Sequence, residues 1–235
     1  MLLNYGTAGF RYPEQIILRI AYNIGQTCCV LSHQQHKPIG IMITASHNPY
    51  TDNGVKIMYY DGSMLSPEDE LFMVESVQTK VTYKSLVRKC TVIIGMDTRK
   101  SSEEIKQLII RGIRNVDEDP NIVDIGLVTT PELHHETFRY SNPGTLPYLN
   151  AYFSQLSDLE YPHVVVDCAN GVGSLRMRDI VHKHKLQNNI LLHHTDTTQA
   201  NLLNHKCGSD FVVTQGESTS VSYTHLTLPT KKRGG

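Results

Sequence analysis

The sequence predicts an α/β fold, a mixed-sheet α/β sandwich, and three observations carry that expectation. Short apolar runs alternate with amphipathic stretches between Glu14 and His194, the pattern of strands and helices packed in layers. Several of the amphipathic stretches open on helix-start signals, Ser66-Pro67-Glu68-Asp69 being the strongest. Two of the apolar runs, Ile39–Thr44 and Thr91–Met96, break off into clusters of small and polar residues.

Taken in order, Tyr5-Gly-Thr-Ala-Gly-Phe-Arg11 places two glycines and two small residues ahead of an arginine. Such a segment tolerates close approach to a backbone or an anion, and Arg11 could offer a planar fork to phosphate. On local grounds a surface turn with a solvated arginine is the simpler reading. From Glu14 to about Leu31, Ile16, Ile17, Ile20, Ala21 and Ile24 recur at helical spacing. Ile39–Thr44 and Val55–Tyr60 read as strands flanking a loop with Ser46 at its apex. The helix opened by Ser66 is expected to reach Val77. Thr91–Met96 reads as a buried strand, and Ser101-Ser-Glu-Glu104 as a capping box before a helix carrying Ile105, Leu108, Ile109 and Ile113. A strand over Ile122–Ile125 and a helix opened by Thr130-Pro131-Glu132 follow. Ser141-Asn-Pro-Gly-Thr145 is dense in breakers and reads as a linker. Beyond it come a helix near Leu146–Leu159, a strand over Val164–Asp167, a helix to about Lys185 and a strand over Ile190–His194: a second β-α-β unit. Its Gly171-x-Gly173 turn lacks the third glycine of a dinucleotide fingerprint, Arg176 standing there, and reads as a tight strand-to-helix turn.

Bulk properties narrow the function classes. The 235 residues leave room for one large or two modest domains. Lys plus Arg number 22 against 23 Asp plus Glu, so no basic field argues for nucleic acid. No apolar run approaches the roughly 20 residues of a membrane helix, and no signal-peptide pattern opens the chain; a cytosolic protein with no membrane partner is expected. The five cysteines, at 28, 29, 90, 168 and 207, have no C-x-x-C spacing and suit reduced structural thiols.

In α/β sheets ligands gather at the carboxyl ends of strands, and Ser46 and Asp97-Thr98-Arg99 are both expected there. A Ser–His hydrolase is disfavoured, because Ser46 and His47 are adjacent and no G-x-S-x-G elbow occurs. The twelve histidines show no metal-ligand spacing. A phosphate-handling site fits better. Ser46 has small neighbours that leave room for a phosphoryl group, and Arg11, Lys56 and Arg99 are cations near the sheet-end loops. A phosphoserine, at roughly −1.5 to −2 charge, needs such partners. Asp97 would orient one of these cations or cap its own turn.

Together the motifs resemble the α-D-phosphohexomutase superfamily, and within it most nearly the eukaryotic phosphoacetylglucosamine mutases. The matching segments are Tyr5–Arg11, Thr44-Ala-Ser-His-Asn-Pro49 with Asp52-Asn-Gly-Val-Lys56, Gly95-Met-Asp-Thr-Arg99 with Ser101–Glu103, Thr129-Thr-Pro-Glu-Leu-His134, Val166-Asp-Cys-Ala-Asn-Gly-Val-Gly173 and Leu203-Asn-His-Lys-Cys-Gly-Ser-Asp210. The resemblance implies a mutase that moves phosphate between the 6- and 1-hydroxyls of N-acetylglucosamine, feeding UDP-N-acetylglucosamine synthesis. Ser46 would be the phosphorylated residue and an Mg²⁺ ligand, Lys56 the acid/base and Arg11 a clamp. His47, Asn48 and Arg99 would contact phosphate or substrate. A hexosamine phosphate is the implied partner and a monomer the implied state. Met96 stands where relatives often have arginine. The metal motif Asp-Gly-Asp-x-Asp-Arg and the Glu-x-x-Gly-His sugar loop do not occur in these 235 residues. Residues 1–142 are therefore expected to form the phosphoserine domain, 143–215 part of a second domain and 216–235 a disordered or non-native tail, the chain alone being inactive. Glucose or mannose phosphate specificity, or non-catalytic phosphosugar binding, stays open as an alternative.

Overall fold

Every residue of Ile39–Ile43 is buried, which requires a strand covered on both faces. In the computed structural model, which describes residues 2–6, 9–79, 83, 89–154, 163–207 and 211, that strand is the middle of a five-stranded sheet. Its members are β1 (Phe10–Pro13), β2 (Ile39–Ile43), β3 (Asp52–Met58), β4 (Thr91–Met96) and β5 (Asn121–Leu127), in the spatial order β1-β3-β2-β4-β5. β2, β4 and β5 run parallel, and β3 is antiparallel to both β2 and β1. The mixed sheet is the one the sequence predicts.

Alternation along the strands sets the layers. Ile39, Ile41 and Ile43, with Val55, Ile57, Val92 and Ile94, join the core formed with α1 (Glu14–Gln35), α2 (Pro67–Thr79) and α3 (Ser102–Val116). Met42, Met58 and Ile93 point the other way, onto Val128 and onto Leu133 of α4 (Thr130–Ser141). The first unit is thus an α/β/α sandwich. α1 and α3 cross at glycines: a Cβ on Gly25 would lie 2.1 Å from the Ile109 carbonyl oxygen, and one on Gly112 would lie 2.0 Å from that of Tyr22. No side chain fits at either position.

Helix ends follow local chemistry in part. Ser66 caps α2, its Oγ accepting the Asp69 N–H at 3.2 Å. α1 runs past Leu31 to Gln35, where His36 closes it in the left-handed region at φ 53°. The capping box expected at Ser101–Glu104 is not formed. Ser101 makes no side-chain cap bond and instead accepts from Asn53. A capping box forms at α4, between Thr129 and Glu132.

Strand bounds change in places. β5 extends beyond the expected Ile122–Ile125 at both ends. Phe10 and Arg11, read as part of a turn, belong instead to the edge strand Phe10–Pro13, paired with Asp52–Val55. β3 therefore starts at Asp52, three residues before the apolar run. Its polar start is tolerated because Asn53 is buried with its amide bonded to Ser101 and Ser102.

Beyond the turns at 142–145, α5 (Tyr148–Ser154) begins two residues later than expected; residues 155–159 of that expected helix lie outside the described residues. β6 (Val164–Asp167), α6 (Gly173–Lys183) and β7 (Ile190–His193) form the predicted β-α-β unit with a parallel two-stranded sheet. Gly171 and Gly173 stand in a strand-to-helix turn. Arg176 docks this unit on the first: its Nε donates to both Glu132 carboxylate oxygens and its Nη2 to the Leu127 carbonyl. Residues 216–235, and Asp210, lie outside the described residues.

Candidate active site

Parallel pairing of Ile43 with Met96 places the ends of β2 and β4 side by side, so the Ser46 loop and the Asp97–Arg99 turn meet at one sheet edge. Asp97 is the hub. Its Oδ1 accepts the Arg99 N–H and the Ser102 hydroxyl, both at 3.0 Å. Its Oδ2 accepts the Thr44 hydroxyl at 2.6 Å and Arg99 Nε at 3.1 Å. It both caps its own turn and orients a cation.

Arg99 is buried, and all five of its N–H donors are committed. Beyond Asp97 they reach the carbonyls of Pro49 (2.6 Å), Asp52 (2.8 Å), Ser46 (3.0 Å) and Asn48 (3.0 Å). Burial pulls its pKa down while Asp97 opposes the shift. With its five donors spent in this way, the guanidinium of Arg99 ties Asp97 to the carbonyls of the serine loop.

The loop so held presents Ser46 in an exposed, left-handed conformation at φ 51°, which costs a non-glycine residue about 1–2 kcal/mol. Three contacts keep it there. Thr44 Oγ1 accepts the Ser46 N–H at 2.9 Å. Arg99 takes the Ser46 carbonyl from one element. Asn204, from the second unit, donates to the same carbonyl at 2.7 Å and to that of Asn48 at 2.9 Å. Asn204 lies within a family-like segment, but nothing in its local pattern assigned it to this loop.

Register places two cations together. Arg11 lies opposite Gly54, and Lys56 is two residues further along the same strand, so both side chains stand on one face of the sheet. Arg11 Nη1 donates to Asn48 Oδ1 at 3.1 Å, and Asn48 Nδ2 to Asp52 at 2.9 Å, tying Arg11 directly to the loop. Gly54 has to be glycine, since a Cβ there would meet the Thr44 and Phe10 carbonyl oxygens at 2.5 and 2.6 Å. Burial, and then the Arg11 charge, lowers the Lys56 pKa. Lys56 in turn adds to the burial that lowers the His134 pKa. His47 is exposed beside Ser46 and lines a cleft of about 410 Å³ together with Asn48, Asn204, His205 and Lys206. Among the described residues no trio of His, Cys, Asp or Glu side chains gathers near Ser46.

The α/β/α sandwich thus presents a strand-end serine on a loop held by a buried Asp–Arg pair, with two further cations, Arg11 and Lys56, on neighbouring strands. The family model described as phosphoglucomutase/phosphomannomutase, alpha/beta/alpha domain I, matches residues 26–84 and 71–146, together just over half of the chain. The chain belongs to this family, within the α-D-phosphohexomutase superfamily. It is 35% identical over 243 residues to the phosphoacetylglucosamine mutase of Mus musculus, covering 92% of this chain and 44% of that protein. To phosphoacetylglucosamine mutase 1 of Schizosaccharomyces pombe it is 34% identical, covering 90% and 46%. Among solved structures, an N-acetylglucosamine-phosphate mutase in a substrate complex superposes with a TM-score of 0.80 at 30% identity, over 94% of this chain and 47% of the other. The Aspergillus fumigatus N-acetylphosphoglucosamine mutase in complex with GlcNAc-6P and magnesium does so at 0.79 and 25%, over 95% and 46%. The chain spans under half the length of these relatives.

Proposed function

We propose that this chain is the phosphoserine-bearing part of a phosphoacetylglucosamine mutase, an isomerase interconverting N-acetylglucosamine 6-phosphate and 1-phosphate through a bisphosphate. The observation that carries it is the exposed Ser46 on a clamped strand-end loop. We divide the chain at 142/143. Exposure of the apolar Val164, Val165 and Leu191 on the two-stranded sheet supports reading 143–215 as part of a larger α/β domain, whose strands are ordinarily covered. We place the enzyme in the cytosol as a monomer; no helix among the described residues is long and apolar enough to cross a membrane.

In this reading Ser46 carries the phosphoryl group, gives it to the sugar monophosphate and receives the other phosphate back after the bisphosphate reorients. Arg11 steadies the loop through Asn48 and offers its charge to the phosphoserine. Lys56, its pKa lowered, exchanges a proton with the sugar hydroxyl more readily than an ordinary lysine. A phosphate on Ser46 would favour the charged amine again, so the proton inventory of Lys56 would follow the phosphorylation state. His47 and Asn48 line the substrate side. Catalysis of this type rests on positioning and charge stabilisation.

Mg²⁺ belongs to the proposal for the whole enzyme, where it would offset phosphoryl charge. Ser46 is its one candidate ligand among the described residues; Asp97 already accepts four hydrogen bonds. One ligand does not fit an ion that takes about six oxygens. The deciding assay follows N-acetylglucosamine 6-phosphate conversion by the intact gene product with Mg²⁺ and a sugar bisphosphate. We expect turnover there, its loss in Ser46→Ala, and none from the 235-residue chain alone. Turnover by Ser46→Ala would sink the mechanism, and turnover by the isolated chain would sink the claim that it is inert. An intact gene product that binds the sugar phosphate but never gains phosphate at Ser46 would mark a binding protein instead.

A further inference from the structure

Cys28, Cys29 and Cys90 are fully buried, and the mutase chemistry uses none of them. Cys29 lies on α1 and Cys90 just ahead of β4, 61 positions apart in the chain, yet their Sγ atoms stand 2.8 Å from each other. A disulfide has an S–S length of roughly 2.05 Å, so less than an ångström of closure separates these thiols from a bond. The backbone that presents them is held independently. Asp117 accepts the Cys90 N–H at 2.6 Å, and the Ser32 hydroxyl bonds the Thr91 N–H at 3.0 Å and the Thr91 carbonyl at 3.1 Å.

We propose that Cys29 and Cys90 are a disulfide-forming pair, a modification site oxidised by a small-molecule disulfide. One cysteine thiolate attacks the oxidant RSSR, breaking its S–S bond and releasing one RSH. The second cysteine attacks the mixed disulfide and releases the other RSH. The protein loses two electrons and two protons, and the oxidant gains both. The new bond would staple α1 to the lead-in of β4, closing a segment that contains Ser46 and Lys56.

A thiophilic metal is the rival occupant, since Cys29, Cys90 and Asp117 offer ligand atoms within 4.8 Å of one another. Zinc holds each thiolate at about 2.3 Å in a tetrahedron, hence two sulfurs roughly 3.8 Å apart. The thiols would have to separate to accept it. The Asp117 carboxylate is also already taken by the N–H groups of Cys90 and Asp119. Disulfide formation asks for neither change. It is slow, because the thiols are reached only through local opening. The neighbouring thiol, burial and Asp117 also push the Cys90 pKa up, leaving little thiolate.

The test uses the full chain carrying Cys28→Ser, Cys168→Ser and Cys207→Ser, which leaves two thiols of the five. After overnight exposure to oxidised glutathione, the thiols titrated in denaturant should fall from two to none. The mass should drop by two hydrogens, and a non-reducing peptide map should join Cys29 to Cys90. Tm should rise by roughly 5–15 °C, reversibly with dithiothreitol. Two thiols left unreacted, or a persistent glutathione adduct, overturns the proposal. So does Zn²⁺ alone protecting both thiols at one ion per chain, which would make this a metal site. If the triple variant does not fold, the same map on the unsubstituted chain decides: a Cys29–Cys90 link supports the pair, and a Cys28–Cys90 link or no link refutes it.

Discussion

Replacing Arg99 by methionine removes the device that shapes the serine loop, and the structure allows its cost to be worked out. Five hydrogen bonds disappear. The carbonyls of Ser46 and Asn48 keep Asn204 as a donor, and that of Pro49 keeps the Asp52 N–H. These three losses are therefore cushioned. The Asp52 carbonyl loses its donor, at about 1–3 kcal/mol if it stays buried. The heavier loss falls on Asp97. Side-chain exposure of the ion pair is 0% for Arg99 and 8% for Asp97, and removing one partner of a buried pair costs about 3–5 kcal/mol. Domains of ordinary stability hold about 5–15 kcal/mol, so Arg99→Met should remove much of it. Arg99→Lys keeps the charge but has three donors for five acceptors, and should lose about 1–3 kcal/mol. Urea unfolding followed by circular dichroism measures both, and amide exchange over residues 44–52 shows whether the loop loosens first. A double-mutant cycle with Asp97→Asn should show strong coupling. If Arg99→Met falls within about 1 kcal/mol of the unsubstituted chain, or the two substitutions simply add, the clamp argument is wrong.

Three further outcomes follow from the same geometry. Asn204→Ala should cost about 1–2 kcal/mol in urea unfolding and speed amide exchange at residues 46–52, Arg99 alone then holding the two carbonyls; unchanged exchange would mean the second unit does not order the loop. Gly112→Ala sets a methyl 2.0 Å from the Tyr22 carbonyl, where no side chain can give way, and should lower stability by at least about 1–3 kcal/mol; a neutral result would show that α1 and α3 separate freely. Lys56, its folded pKa depressed below the ordinary 10.5, is charged at neutral pH at the expense of stability. That penalty is full below the folded pKa and fades as pH rises toward 10.5. Lys56→Met should therefore be the more stable protein near neutrality, with the gap shrinking as the medium becomes alkaline. A gap independent of pH would refute the burial account.

Much of the layered fold was legible because its signals are local. The apolar run Thr91–Met96 matches β4 residue for residue, and the Ser66-Pro67 signal opens α2 where a capping hydroxyl followed by proline should. The serine loop was legible too, from an apolar run ending in small and polar residues. Legibility failed where long-range pairing outweighed local pattern. Phe10 and Arg11 end a glycine-rich stretch that reads as a turn, yet Phe10–Pro13 pairs with β3, because Gly54 lets two backbones close in on it. Ser101 and Glu104 spell a capping box, but Asn53, 48 positions away, claims the serine.

The sequence by itself determined the element types, the strand-end position of Ser46 and the charges available to a phosphate, since these depend on periodicity and residue chemistry over a few positions. Only the tertiary structure decided how those charges are divided. Arg99, implied as a phosphate contact, spends every donor on Asp97 and the loop carbonyls, whereas Arg11, implied as a clamp, lies opposite Gly54 on the face it shares with Lys56 and bonds to Asn48. Asn204 joins the site from 158 positions away. The physical reason is that a guanidinium has five donors in fixed directions, and which acceptors meet them is set by strand register and the docking of units, not by the residues beside it in the chain.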